Sequence, residues 1–297
     1  MDHEEWLAER FEEHRSHLRS VAYRMLGSLT EADDALQDAW ERVTRAGADG
    51  VENLGGWLTT IVARVCLNML RARNTRPVDP LKALLPDPIV SPEGALGPEE
   101  EALLADSVGL ALQVVIDTLS PPERLAFVLH DMFDLPFDEI GPMLGRTSQA
   151  TRQLASRARR RVKGSDGSTP ERDVARQRAA VDAFFAAARA GDFDALVALL
   201  HPDVVLRADF GPGHPSRSAV FHGPEAVVGQ ARRSANRAAD LHPALVNGAA
   251  GVVVTLRGRP FAVMAFTVTE DKIVEIDAIG DPERVRRLAA AVLGGDG

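Results

Sequence analysis

Four residues in the last third of the chain, Asp209, His214, His222 and Asp277, are of the types that move protons in acid–base catalysis. They could line a pocket, but no pair of them has diagnostic spacing, and polar residues at a pocket mouth are common without catalysis. The single cysteine, Cys66, lies among Val65, Leu67 and Leu70 and reads as a small core residue. One thiol excludes an internal disulfide and a cysteine-cluster metal site. His14 and His17 stand three apart on an acidic helix with no further ligand nearby, so they read as surface residues; no metal and no cofactor is expected. The remaining chemistry is that of binding, and it lies in three stripes of side chains.

The first is in EADDALQDAW, residues 31–40. On a helix Ala32, Ala35, Leu36, Ala39, Trp40 and Val43 share one side, and Asp34, Gln37, Asp38 and Glu41 share the other. A solvated face usually mixes its charges. Here i, i+4 ion pairs are forgone, and a basic partner surface would explain the omission.

The second stripe is in GGWLTTIVARVCLNMLRARNTR, residues 55–76. Leu58, Ile61, Val62, Val65 and Met69 form an apolar face, and opposite them stand Trp57, Thr60, Arg64, Asn68 and Arg71. An indole and an amide interleaved with arginines offer stacking for an unpaired base, edge hydrogen bonds and phosphate contacts together. The alternative makes Trp57 a core or staple residue at the helix start.

The third lies in residues 120–163, which read as a helix, a short helix, a tight turn at Leu144, Gly145 and Arg146, and a final helix. A glycine turn between two helices is the helix-turn-helix signature, shared by some three-helix folds that bind no DNA. In the last helix Thr151, Leu154, Ala155, Ala158 and Val162 make a buried face. Ser148, Gln149, Arg152, Gln153, Ser156, Arg157 and Arg160 remain for base edges and phosphates. Gly141-Pro142 interrupts the preceding helix, and a short or kinked element is expected there.

These stripes need scaffolds. The chain has 297 residues, 45 % hydrophobic and 26 % charged, enough for two or three domains with cores of their own. No apolar run spans a bilayer and the first residues are acidic, so a cytoplasmic protein without membrane attachment is expected. The net charge of −9 disfavours unaided grip on nucleic acid. Its distribution is uneven: residues 55–76 and 140–165 carry arginines and no acid, whereas residues 77–120 hold eight acids against Lys82. The connector after Arg76 has prolines at 77, 80, 86, 88, 92 and 98, which favour an extended segment, and KGSDGSTP at 163–170 is a second linker. Beyond it a helix at 179–192 and strand-like runs at 203–210, 250–257, 260–268 and 272–279 predict an α+β domain.

Together LGSLTEADDALQDAW (26–40), GWLTTIVARVCLNMLRAR (56–73) and LSPPERLAFVLHDMFDLPFDEIGPMLGRTSQATRQLASRARRRV (119–162) resemble bacterial sigma factors of the extracytoplasmic-function type. The resemblance implies two all-α domains, a helical bundle at 1–76 and a helix-turn-helix at 106–163, joined by an acidic linker at 77–105. It also implies a SnoaL-like cone-shaped α+β domain at 171–297. By it Asp34, Gln37, Asp38 and Glu41 would dock on the clamp helices of the largest subunit of core RNA polymerase. Trp57, Thr60, Arg64, Asn68 and Arg71 would open the proximal promoter element with bases flipped from the stack. The last helix would read the distal element as duplex. Sigma factors with such an extension carry a Trp-Leu-Pro-Glu-Pro connector motif, an Asp followed by glycines, and an Asn-Pro-Asp-Lys-Leu-like motif. The counterparts here are LLPDP (84–88), DFGPGHP (209–215) and DPERV (281–285), with the tryptophan missing and His214 in place of a lysine. They place an interdomain regulatory contact at Leu85, Pro86, Asp87, Pro88, Asp209, Asp281, Pro282 and Arg284. Whether the chain has an anti-sigma factor, and whether the extension binds a small-molecule ligand, the sequence leaves open.

Two other readings differ in class. A free-standing helix-turn-helix regulator with a ligand-binding domain should bind a palindromic site without polymerase, and it leaves the acidic helix unexplained. A SnoaL-type enzyme fused to DNA-binding modules would need the four acid–base candidates gathered in one pocket.

Overall fold

Helix boundaries fall where the caps stand. The computed structural model describes residues 3–48, 50–75, 85–94, 110–164, 171, 173–211, 213–214, 218–234 and 239–294. Helix α1 (His3–Leu26) ends at Gly27, and Ser28 caps α2 (Leu29–Ala46) by accepting from the Glu31 N–H. Asn53 performs the same service for α3 (Leu54–Thr75), its Oδ1 taking the Gly56 N–H at 3.0 Å. These helices pack on one another through residues with almost no exposure: Leu18, Val21 and Met25 from α1, Leu36 and Val43 from α2, and Leu58, Val62 and Cys66 from α3. Cys66 is core, as its neighbours in sequence suggest, and burial pushes its thiol pKa up.

The chain divides into two compact units. The first holds residues 1–79, 97–106 and 112–166; the second holds 80–96, 107–111 and 167–297. Helix α4 (Leu110–Thr118), which lies in the first unit from Leu112 on, is followed by α5 (Pro121–Phe127), which runs on as a π-turn over Val128–Met132. Helices α6 (Phe137–Leu144) and α7 (Ser148–Gly164) complete it. Arg124 of α5 is buried; it pairs with Asp117 at 2.6 Å and donates to the Met25 carbonyl at 2.9 Å. Gln113 donates to the Arg24 carbonyl. Region-spanning contacts of this kind fill orphan acceptors at the end of α1.

Pro142 lies inside α6, which is a single eight-residue helix rather than a broken one. The short element is as expected, and the structure adds the reason for its neighbour. A Cβ on Gly141 would lie 2.7 Å from the Arg146 carbonyl oxygen, so only glycine lets the α6–α7 turn close. Gly145 ends α6 in the left-handed conformation at φ 64°.

The second unit is built on a sheet of order β1-β4-β5-β6-β7-β2-β3. Its strands are β1 (Val90–Pro92), β2 (Leu200–Asp209), β3 (Ala219–His222), β4 (Ala239–Val246), β5 (Ala249–Leu256), β6 (Arg259–Thr269) and β7 (Lys272–Ile279). All pairs are antiparallel except β2 with β7. One face carries Leu206, Val252, Val254, Phe266 and Ile276 and is covered by α8 (Val174–Ala190), α9 (Phe193–Leu199) and α10 (Pro224–Ser234). Period-two alternation turns Arg207, Asp209, Glu275 and Asp277 to the other face. There α11 (Pro282–Leu293) packs on β6, β1 and β4. The described part of the proline-rich connector is thus a working strand of this sheet: Val90 pairs with Val246 and Pro92 with Ala244.

Candidate functional site

On α2 the buried residues are Ala32, Ala35, Leu36, Ala39 and Val43, which leaves Asp34, Gln37, Asp38 and Glu41 exposed along the opposite side. Trp40 is half-buried, edge-on to Phe11 with ring centroids 5.2 Å apart. Beside the stripe, α1 and α2 enclose an open groove of about 520 Å³ floored by Phe11, Leu36 and Trp40 and rimmed by Glu12, Asp34 and Gln37. One expectation is corrected here: Glu41 does have an i, i+4 partner, Arg45, at 2.8 Å. The sequence held the signal, since Arg45 follows Glu41 by four. Asp33 is set apart from the stripe by a two-bond pairing with Arg19 of α1 at 2.7 and 2.9 Å.

On α3 the exposed members of the second stripe are Arg64, Asn68 and Arg71; Trp57 and Thr60 are half-buried. Thr60 returns its hydroxyl to the Gly56 carbonyl at 2.9 Å. The apolar face is wider than the sequence periodicity suggested, because Ala63, Cys66, Leu67 and Leu70 are buried as well. His17, read as a plain surface residue, is exposed but engaged: its Nε2 is 3.3 Å from Thr59 Oγ1 and its ring meets Phe133 edge-on.

On α7, Thr151, Leu154, Ala155 and Ala158 are buried and Val162 partly so. Gln149, Arg152, Gln153, Ser156, Arg157 and Arg160 are exposed, and Ser148 is half-buried at the helix start. Arg159 is paired with Asp131 at 2.5 Å and Arg161 with Glu123 at 2.9 Å. The stripe of candidate DNA contacts is therefore exposed on one helix, with its flanking arginines tied back to the domain.

The predicted regulatory residues converge within the second unit. Arg284 donates from Nε to Asp87 at 2.6 Å, from Nη1 to Asp209 at 2.7 Å and from Nη2 to the Leu85 carbonyl at 2.7 Å. Asp209, 1 % exposed, also accepts the backbone N–H groups of Leu85 and Gly211. Burial opposes charge on Arg284, but the two carboxylates outweigh it and raise its pKa. Asp281 caps α11 through the Arg284 N–H at 2.9 Å. Gly211 at φ 71° lies so close to Asp281 that a Cβ would overlap that carboxylate, which accounts for glycine after Asp209-Phe210. Pro86 and Pro88 are buried. Sequence reading missed Arg287, which holds Asp87 from its other oxygen at 2.5 Å, and Asn247, whose amide oxygen and backbone both bond Ile89. An Asn-Gly turn at 247–248 was the available signal for the second.

The acid–base candidates differ in exposure. His214 and His222 are exposed. Asp209 is committed to Arg284, and Asp277 to Arg207 at 3.1 Å, with Glu275 on the same guanidinium at 3.0 Å. Burial raises the Asp277 carboxyl to about 6, with Arg207 pulling against it. Both aspartates lie on the sheet face opposite the helix-covered core, whose centre is filled by the rings of Phe184, Phe185 and Phe266. Among the described residues no group of three metal-ligating side chains occurs, and no helix is long and apolar enough to cross a membrane.

Comparison with known proteins matches three stretches to families: sigma-70 region 2 over residues 10–76, sigma-70 region 4 over 109–162, and a SnoaL-like domain over 181–276. The ECF RNA polymerase sigma factor SigJ of Mycobacterium tuberculosis is 33 % identical over 291 residues, 92 % of this chain and 91 % of the relative. A probable ECF sigma factor from the same organism, SigI, is 30 % identical over 282 residues, 95 % and 96 % of the two chains. The crystal structure of SigJ superposes with a TM-score of 0.73 over 93 % of this chain and 97 % of that one.

Proposed function

The chain belongs to the extracytoplasmic-function RNA polymerase sigma factors, those with a C-terminal SnoaL-like domain, and from that membership we propose how its surfaces divide the work of initiation. It is an alternative sigma factor, a partner of core RNA polymerase and promoter DNA. Asp34, Gln37, Asp38 and Glu41 dock on basic residues of the clamp helices. Trp57, Thr60, Arg64, Asn68 and Arg71 engage the proximal promoter element as it opens. Ser148, Gln149, Arg152, Gln153, Ser156, Arg157 and Arg160 read the distal element in the major groove. These events take place in the cytoplasm.

The observation that supports this division is the outward acidic face of α2. Its buried side is fully spent on packing, which leaves the charged side for a partner. A protein of net charge −9 gains access to DNA once a partner enzyme that makes its own DNA contacts carries it there. The extension acts as a regulator: Arg284 clasps Leu85 and Asp87, so the arrangement of the connector depends on the extension's fold. We assign it no reaction, because each of the two carboxylates that would serve is engaged by an arginine.

Transcription of a genomic fragment library by core polymerase, with and without the full chain, tests the reading. Promoter-dependent transcripts are expected only with the protein present. Binding of a palindromic duplex in the absence of polymerase, with no transcription in its presence, would favour the free-standing regulator instead.

A further inference from the structure

The helix that should read DNA is braced from behind by a distorted turn. Consecutive residues on an ordinary helix lie about 100° apart, which turns them towards different surroundings. The π-turn at Val128–Met132 adds a residue to the turn, and beyond it the Leu135 N–H returns to the Leu129 carbonyl at 2.9 Å. The chain then reverses at Asp134, φ 53°. As a result His130 and Asp131 both reach the helix-turn-helix. His130 donates from Nδ1 to the Leu135 carbonyl at 2.9 Å, which fixes its ring. That ring stacks on Phe137, the first residue of α6, with centroids 3.8 Å apart and planes tilted by 32°. The Arg152 guanidinium in turn lies over Phe137, 5.3 Å from its centroid. Asp131 meanwhile takes Arg159.

We propose that His130 and Phe137 are positioning residues for distal-element recognition, holding the Arg152 side chain over an aromatic stack before DNA arrives. The proposal rests on the reading that α7 contacts duplex DNA. A long exposed arginine samples many rotamers and loses that freedom when it grips a base or phosphate. An aromatic face selects a subset of those rotamers through cation–π attraction without consuming the outward donors. Asp131 meanwhile holds Arg159, about two turns further along α7, back against the domain.

The test uses holoenzyme assembled from bacterial core polymerase and full-length chain, presented with a promoter duplex pool randomised across the upstream element. Bound DNA is sequenced. Arg152→Ala should abolish preference at the base pairs it contacts. Phe137→Leu and His130→Gln should weaken preference at those same base pairs by about two- to five-fold and leave those lost in Arg157→Ala unchanged; Phe137→Tyr should restore it. His130→Gln leaves the buried Phe137 in place and so carries the test if Phe137→Leu folds poorly. Wild-type preference at the Arg152-dependent positions in both variants overturns the stack's role, as does a uniform loss at every position with a lowered melting temperature. If Arg152→Ala changes no position while Arg157→Ala does, the proposal fails and the α7 reading stands; if neither changes any position, both fail.

Discussion

Asp38 is exposed and points away from the five residues that anchor α2, so charge reversal there separates docking from folding. Asp38→Lys should weaken core polymerase binding by ten-fold or more, as loss and reversal of a hydrogen-bonded interface charge does. It should shift unfolding by less than about 0.5 kcal/mol, as exposed substitutions usually do. Co-purification with core enzyme and a melting curve check both halves. Glu41 is a poorer probe, because its reversal also breaks the exposed pair with Arg45, worth about 0.3–0.5 kcal/mol. Asp277 gives a pH signature. Its folded carboxyl titrates near 6 against an ordinary 3.8, so the folded state binds the extra proton between those values. Stability from this group is fully present in more acid solution and declines as pH rises from about 4 to about 6. Asp277→Asn should flatten that part of the pH–stability curve, by up to about 3 kcal/mol, in urea titrations followed by a probe in the extension.

At the scale of elements, the stripes on α2, α3 and α7 were legible because each is local and strongly periodic, so the exposed set follows once the apolar set is placed. Asp33 was not, since its separation from the stripe depends on Arg19 across a helix pair. The long strands β5, β6 and β7 announced themselves by β-branched runs, whereas β1 is three residues with a proline and becomes a strand only because β4 lies beside it. Strand β4 was hidden by Pro243, which is tolerated because β1 pairs only with 244–246. Short helices α9, α10 and α11 are fixed by packing on the sheet more than by their own pattern. Gly141-Pro142 read as an interruption and is instead a fitting for the turn that follows. Gly141→Ala should cost about 1–3 kcal/mol, because its Cβ meets a backbone oxygen that cannot swing aside. Distal-element binding should fall with it, measured by gel shift of holoenzyme on a selected promoter.

For the whole molecule, the connector motif and the extension are one folded object, which changes what a truncation means. Removing residues after 170 deletes the partners of Leu85, Asp87, Ile89 and Val90 and so exposes apolar connector surface as well as removing a domain. Arg284→Ala is the sharper variant. It leaves the sheet's own residues untouched but strands Asp209 without its cation, a loss of about 3–5 kcal/mol for a buried pair, while Asp87 keeps Arg287. Hydrogen exchange should then accelerate at Leu85, and promoter-specific transcription should change relative to the full wild-type chain. Unchanged transcription with demonstrably faster exchange would separate the clasp from regulation.

Incorporating Val90–Pro92 into the sheet also settles where the sheet ends. With β1 in place, β4 has a hydrogen-bonded neighbour on both sides. Were β1 to leave, the backbone groups of residues 244–246 would lie open to any strand of matching register, so a three-residue ribbon with a proline in it guards this edge against templating a second chain.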